Sequence, residues 1–113
     1  MENRRRFQRV QALLPIRLYF QGELKVIETL TKDLGFGGLR CLSPNPTPPK
    51  TPVSIELTLG FVEKPVTLRA KTAWLNKIPQ SNQFYLGITF QDISESNTVL
   101  SSYINKSSPD KSS

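Results

Sequence analysis

The chain has no histidine among its 113 residues. That absence excludes a Cys/His metal site, a Ser-His-Asp triad and histidine acid–base chemistry. It has one cysteine, Cys41, so no internal disulfide can form and no disulfide framework points to secretion. Long apolar runs are also missing. The stretch from Val10 to Phe20 is interrupted by Pro15 and Arg17 and is too short to cross a bilayer. No signal peptide is visible, and the chain is expected to be cytoplasmic. Catalytic chemistry has little to work with. Glu28, Asp33 and Glu56 are carboxylates, but nothing pairs them at catalytic spacing, so the chain does not read as an enzyme, and no catalytic residue, metal ligand or cofactor is expected.

The composition suits one soluble domain. Hydrophobic residues make up 37% and charged residues 21%, and a chain of this length can bury roughly two-thirds of its unfolded surface. The 15 basic and 9 acidic residues give a formal charge of +6, which favours anionic partners. The placement of this charge is informative, because Arg4, Arg5, Arg6 and Arg9 cluster at the start of the chain.

Period-two alternation dominates the chain beyond this cluster. Ala12, Leu14, Ile16, Leu18 and Phe20 share one face. Val26, Glu28 and Leu30 alternate with Lys25, Ile27 and Thr29 on a strand whose inner face is less clean. Leu39 and Cys41 come after the Gly37-Gly38 turn. Val53 to Leu59, Val66 to Trp74 and Phe84 to Phe90 each alternate again, which puts Trp74 and Cys41 on inner faces as core residues. About six strands joined by Gly/Pro turns read as a small antiparallel barrel or sandwich. Residues 43–52 carry five of the nine prolines and read as an extended surface loop, since proline cannot donate to a ladder. Ser94 is a candidate cap for a short C-terminal helix, on which Val99, Leu100, Tyr103 and Ile104 fall on one face. Residues 105–113 are polar and are expected to fray.

Two motifs carry the functional reading. Arg4-Arg5-Arg6-Phe7-Gln8-Arg9 supplies planar, always-charged forks that match phosphate oxygens and the O6/N7 edge of guanine. Asp33-Leu34-Gly35-Phe36-Gly37-Gly38 supplies a carboxylate, which accepts from the N–H donors of guanine, beside glycines that permit a sharp turn and close approach. With Leu86-Gly87-Ile88-Thr89-Phe90, these segments resemble the PilZ domain family from about Asn3 to Ile104.

The resemblance implies an all-β fold: a six-stranded antiparallel β-barrel with a short C-terminal helix. It implies a flexible arginine-rich arm over 1–10, a barrel with its helix over 11–104 and a disordered tail over 105–113. It also implies a bacterial second-messenger receptor that binds cyclic di-GMP and signals to an effector protein by ordering its arm. Arg5 and Arg9 match the motif arginines, Asp33 the acid that binds the guanine edge, and Gly38 the glycine whose bare Cα leaves room for the base. Arg4 and Arg6 flank the motif and are candidates for additional ligand contacts. The residue before the first motif arginine, here Arg4, is linked in the family to ligand number. Gly35 stands where the motif has serine, and the lost hydroxyl weakens the expected binding. A domain of this fold that has lost the ligand and serves as a protein-interaction module is the competing reading. A barrel binding nucleic acid through basic charge and exposed Tyr19, Phe36, Phe61 or Tyr85 is the weaker third. Arg17 and Arg40 are open as further contributors to the site.

Overall fold

The computed structural model describes residues 9–60, 64–91, 100, 103 and 104. Among the described residues seven strand segments succeed one another: β1 (Arg9–Gln11), β2 (Pro15–Phe20), β3 (Val26–Gly35), β4 (Gly38–Ser43), β5 (Pro52–Leu57), β6 (Val66–Lys77) and β7 (Phe84–Phe90). All pairings are antiparallel, and each of β2, β3, β4, β7, β6 and β5 pairs with the next until β5 returns to β2. The result is a closed six-stranded barrel.

The seventh segment does not add a stave. β1 pairs with Asp33–Gly35 on β3, and β2 pairs with the Val26–Leu30 stretch of the same strand. β1 and β2 are therefore two halves of one barrel strand, broken at residues 12–14. Thr31 clamps the break from inside. Its hydroxyl donates to the Ala12 carbonyl and accepts from the Leu14 amide at 2.9 Å, which satisfies a buried polar group. Among the described residues, pairing begins with Arg9 opposite Gly35.

The alternating residues fill the barrel as their period requires. Leu18, Leu34, Ile55, Leu57, Leu59 and Leu86 are fully buried, and Leu100 and Ile104 join the same core. Leu100, Tyr103 and Ile104 are helical; the remainder of the expected C-terminal helix, including Ser94 and Val99, lies outside the described residues, as do the tail and Arg4, Arg5 and Arg6. The proline-rich connection between β4 and β5 is anchored by Thr72. Its hydroxyl donates to the Pro48 carbonyl at 2.6 Å and accepts from the Thr51 amide at 2.9 Å.

One core assignment is overturned. Trp74 is 42% exposed, not internal. The pairing of β6 with β7 shifts between Thr72 and Trp74. This bulge inserts one residue, so the side that faced the core through Leu68, Ala70 and Thr72 faces out at Trp74. The indole then lies across Gly87, where an added Cβ would sit 2.2 Å from the ring.

Cys41 is core, as its alternation predicts. Burial pushes its thiol up to about 12 from an ordinary 9.0, because the thiolate is poorly solvated there. The native thiol is expected to resist a disulfide reagent at pH 8 and to react fully once the protein is unfolded. The native state holds this proton longer than the unfolded chain. Stability should therefore fall as pH rises from 9 towards 12, by up to about 1.4 kcal/mol per pH unit. A Cys41→Ala variant lacking that slope in alkaline melting curves would confirm the source, and rapid labelling of the folded protein would refute it.

Candidate nucleotide site

The β3–β4 hairpin is built around a two-residue turn, Phe36-Gly37. Counting outward from it pairs Leu34 with Leu39 and Asp33 with Arg40. Leu34 and Leu39 point inward and are buried, so Asp33 and Arg40 point outward. A register shift between Thr31 and Asp33 marks a bulge in β3. The inward set changes there from the odd positions 27, 29 and 31 to Leu34, and this aims Asp33 at the outer wall.

On that wall the two motif halves meet. Arg9 on β1 and Asp33 on β3 form an ion pair through Arg9 Nη1 and Asp33 Oδ1. The second carboxylate oxygen, Oδ2, lies 2.9 Å from Arg40 Nη2. The Asp33 side chain is only 15% exposed, against 51% for Arg9 and 37% for Arg40. One carboxylate between two guanidinium groups leaves a net positive cluster suited to an anion. The Arg40 guanidinium carbon sits 5.0 Å from the centroid of the Tyr85 ring on β7, within cation–π range.

The row continues across the sheet. Gln11, Asp33, Arg40, Gly87 and Trp74 are successive cross-strand partners on β1, β3, β4, β7 and β6. Gly87 has no side chain, and the Trp74 indole covers the space beside Arg40 that its Cβ would take.

Gly35 ends β3, is buried and partners Arg9 in the ladder. Gly38 opens β4 opposite Thr89, and the space its Cβ would take is filled by the Ile88 carbonyl, 2.1 Å away. Close strand packing is therefore a sufficient reason for this glycine. Arg17 is not part of the cluster. It lies on β2 between Glu28 at 3.1 Å and Glu56 at 3.8 Å, in the wall of a groove of about 490 Å³ that none of the described motif residues lines. Its guanidinium is shifted above its ordinary value, first by hydrogen bonding with Tyr19 and then by Glu28. Tyr19 also donates to Glu56 at 3.1 Å. Phe36 packs against the core, so it offers little as a free stacking surface, and Phe61 lies outside the described residues.

Spacing alone left Arg40 open, and its signal was available. A two-residue turn at Phe36-Gly37 sets Arg40 opposite Asp33, and alternation with buried Leu39 and Cys41 sends it outward. Trp74 had no such signal, because only the bulge turns it out.

The PilZ domain family model matches residues 3–106, and the chain belongs to the PilZ domain family, a family of cyclic di-GMP receptor domains rather than enzymes. No curated protein sequence gives a significant match. Among solved structures, the Bacillus subtilis inhibitor of motility MotI/DgrA superposes with a TM-score of 0.73 at 15% identity, covering 88% of this chain and 49% of that one. The PilZ domain of YcgR from Escherichia coli, solved with c-di-GMP, gives 0.69 at 17% identity, covering 91% and 93%. PlzA of Borreliella burgdorferi, in complex with c-di-GMP, gives 0.55 at 22% identity, covering 80% and 31%. These likenesses are of fold. The chain spans about half of MotI/DgrA and less than a third of PlzA. Among the described residues no helix is long and apolar enough to cross a membrane.

Proposed function

We propose that this PilZ domain binds cyclic di-GMP and passes the signal to an effector protein in the bacterial cytoplasm through a change in its arginine arm. The observation that carries this reading is the ion pair between Arg9 and Asp33, which joins the arginine motif to the Asp/Gly motif at one point on the barrel wall. Arg5 and Arg9 grip phosphate and guanine, Asp33 accepts from the guanine edge, and Gly35 and Gly38 shape the turn beneath. Arg4 and Arg6 add positive charge. The solved complexes of the YcgR PilZ domain and of PlzA with c-di-GMP support the choice of ligand.

Isothermal titration with cyclic di-GMP, run beside an Arg5→Ala/Arg9→Ala double variant, tests the reading. Saturable heat in the native protein that vanishes in the variant is the expected result. Loss of two charge-assisted contacts at about 1.5–3 kcal/mol each corresponds to a hundredfold or greater drop in affinity. No heat from the native protein at high micromolar ligand would favour a domain that has lost the ligand and acts by protein contact. Gly35, with no hydroxyl at the motif position, is the feature that keeps this second reading in view. A partner interface that responds to ligand should also change the arm's proteolytic susceptibility at saturation, and an unchanged cleavage pattern would remove the arm from the signalling route.

A further inference from the structure

We infer that Arg40, which lies outside both motifs, is the positioning residue for Asp33: it holds one carboxylate oxygen so that the other can read the ligand. The part of this inference that concerns ligand rests on the cyclic di-GMP reading above.

Arg9 and Arg40 grip the same carboxylate, but the fold holds them differently. Arg9 opens a three-residue strand that pairs only with β3 among the described elements, and it is about half exposed. Arg40 sits inside β4, with β3 on one side and β7 on the other. Its guanidinium is stacked on Tyr85, and its Nε is buried with no hydrogen-bond partner. A guanidinium that leaves one donor unsatisfied is being held by its other contacts, here the Asp33 carboxylate and the Tyr85 ring. Gly87, its neighbour on β7, offers no side chain to pull it away.

The division of labour comes from these restraints. When an anion draws Arg9 towards phosphate, Asp33 Oδ1 loses its partner. Arg40 keeps Oδ2, so the carboxylate stays in place with Oδ1 free to accept from guanine N–H donors. Without Arg40, the freed carboxylate rotates, and ordering it again weakens binding. Tyr85 completes the device by holding the guanidinium plane against the wall.

The test has one arm without ligand and one with it. In the ligand-free protein, the Arg40 Nε–H should give a slowly exchanging NMR cross-peak, assigned by its loss in Arg40→Lys. Asp33→Asn should shift that peak, and Tyr85→Leu should speed its exchange. A peak that exchanges as fast as those of exposed arginines, or is indifferent to Asp33→Asn, overturns the inference. In titrations with cyclic di-GMP, Arg40→Ala is expected to weaken binding about tenfold, and Arg40→Lys to recover part of that loss. Because Arg40 acts through Asp33, the Asp33→Asn/Arg40→Ala double variant should bind no more weakly than Asp33→Asn alone, within about twofold. Additive losses would mean that Arg40 meets the ligand independently and would overturn the positioning role. If the native protein takes up no cyclic di-GMP, the receptor reading falls, and the Nε–H arm alone decides whether Arg40 positions Asp33.

Discussion

Replacing Gly38 with alanine is expected to cost this barrel about 3 kcal/mol, the upper end of the usual penalty for forcing extra volume into a packed interior. An added Cβ would sit 2.1 Å from the Ile88 carbonyl oxygen, 3.1 Å from its carbon and 3.2 Å from the Thr89 Cα. All three are backbone atoms of β7, so no side chain can swing aside. Relief requires β4 to move away from β7, in a ladder that runs from the Gly38–Thr89 pair to the Ser43–Phe84 pair. The adjacent bond from the Phe90 amide to the Gly37 carbonyl, 2.9 Å, would be strained as well. A drop in melting temperature on the order of 10 °C should result. Two controls separate this mechanism from a general intolerance of glycine substitution. Gly22→Ala meets no atom within 4 Å and carries only the left-handed φ of +83°, so about 1 kcal/mol is expected. Gly87→Ala collides with the ring of half-exposed Trp74, which can swing out into solvent, and should fall between the two. A Gly38→Ala protein melting within a degree or two of the native one would show that the strands yield freely there.

That contrast also explains what could be read from the sequence. The barrel was legible because period-two alternation is imposed by burying one face of each strand, and Leu18, Ile55, Leu68 and Leu86 all obey it. Arg9 and Asp33 could be singled out by residue type, and the fold brings these two side chains together. The two bulges were not legible. Each adds one residue to a strand, leaves composition unchanged, and inverts which side chains face out. One turns Trp74 outward, against its alternation, and the other aims Asp33 at Arg9 and Arg40. The second role of Gly38 was hidden for a different reason. Its motif position suggests space for a ligand, whereas the close approach of β7 comes from a strand some fifty residues away in the chain. The break between β1 and β2 was similarly silent, since Val10, Ala12, Leu14 and Ile16 keep one parity straight through it. Only the pairing with β3, and the Thr31 hydroxyl that bridges the gap, reveal two segments.

Restoring the motif hydroxyl with Gly35→Ser is expected to tighten cyclic di-GMP binding by roughly 2- to 12-fold. One neutral hydrogen bond contributes about 0.5–1.5 kcal/mol net, which spans that range at about 1.4 kcal/mol per tenfold. Gly35 is already fixed in the β3 ladder without ligand, so its conformational freedom bears on folding and not on binding. The free protein should respond in the opposite direction. Gly35 is buried at the end of β3, beside the Arg9 pairing, and a serine hydroxyl placed there to meet ligand lacks that acceptor until ligand arrives. A buried hydroxyl left unsatisfied costs about 1–3 kcal/mol, partly offset by the lower entropy of the unfolded chain. The expected signature is thus a lower melting temperature without ligand and a larger upward shift with it, since stabilisation by ligand grows as the dissociation constant falls. Titration and melting curves on the same preparation separate the two effects. A variant that melts like the native protein yet binds no more tightly would mean that the hydroxyl does not face the ligand. Recognition would then rest on Arg5, Arg9 and Asp33, and Gly35 would not be a handicap. Binding that appears only in the Gly35→Ser protein would be the sharper result, because the native domain would then be a receptor silenced by one missing oxygen atom.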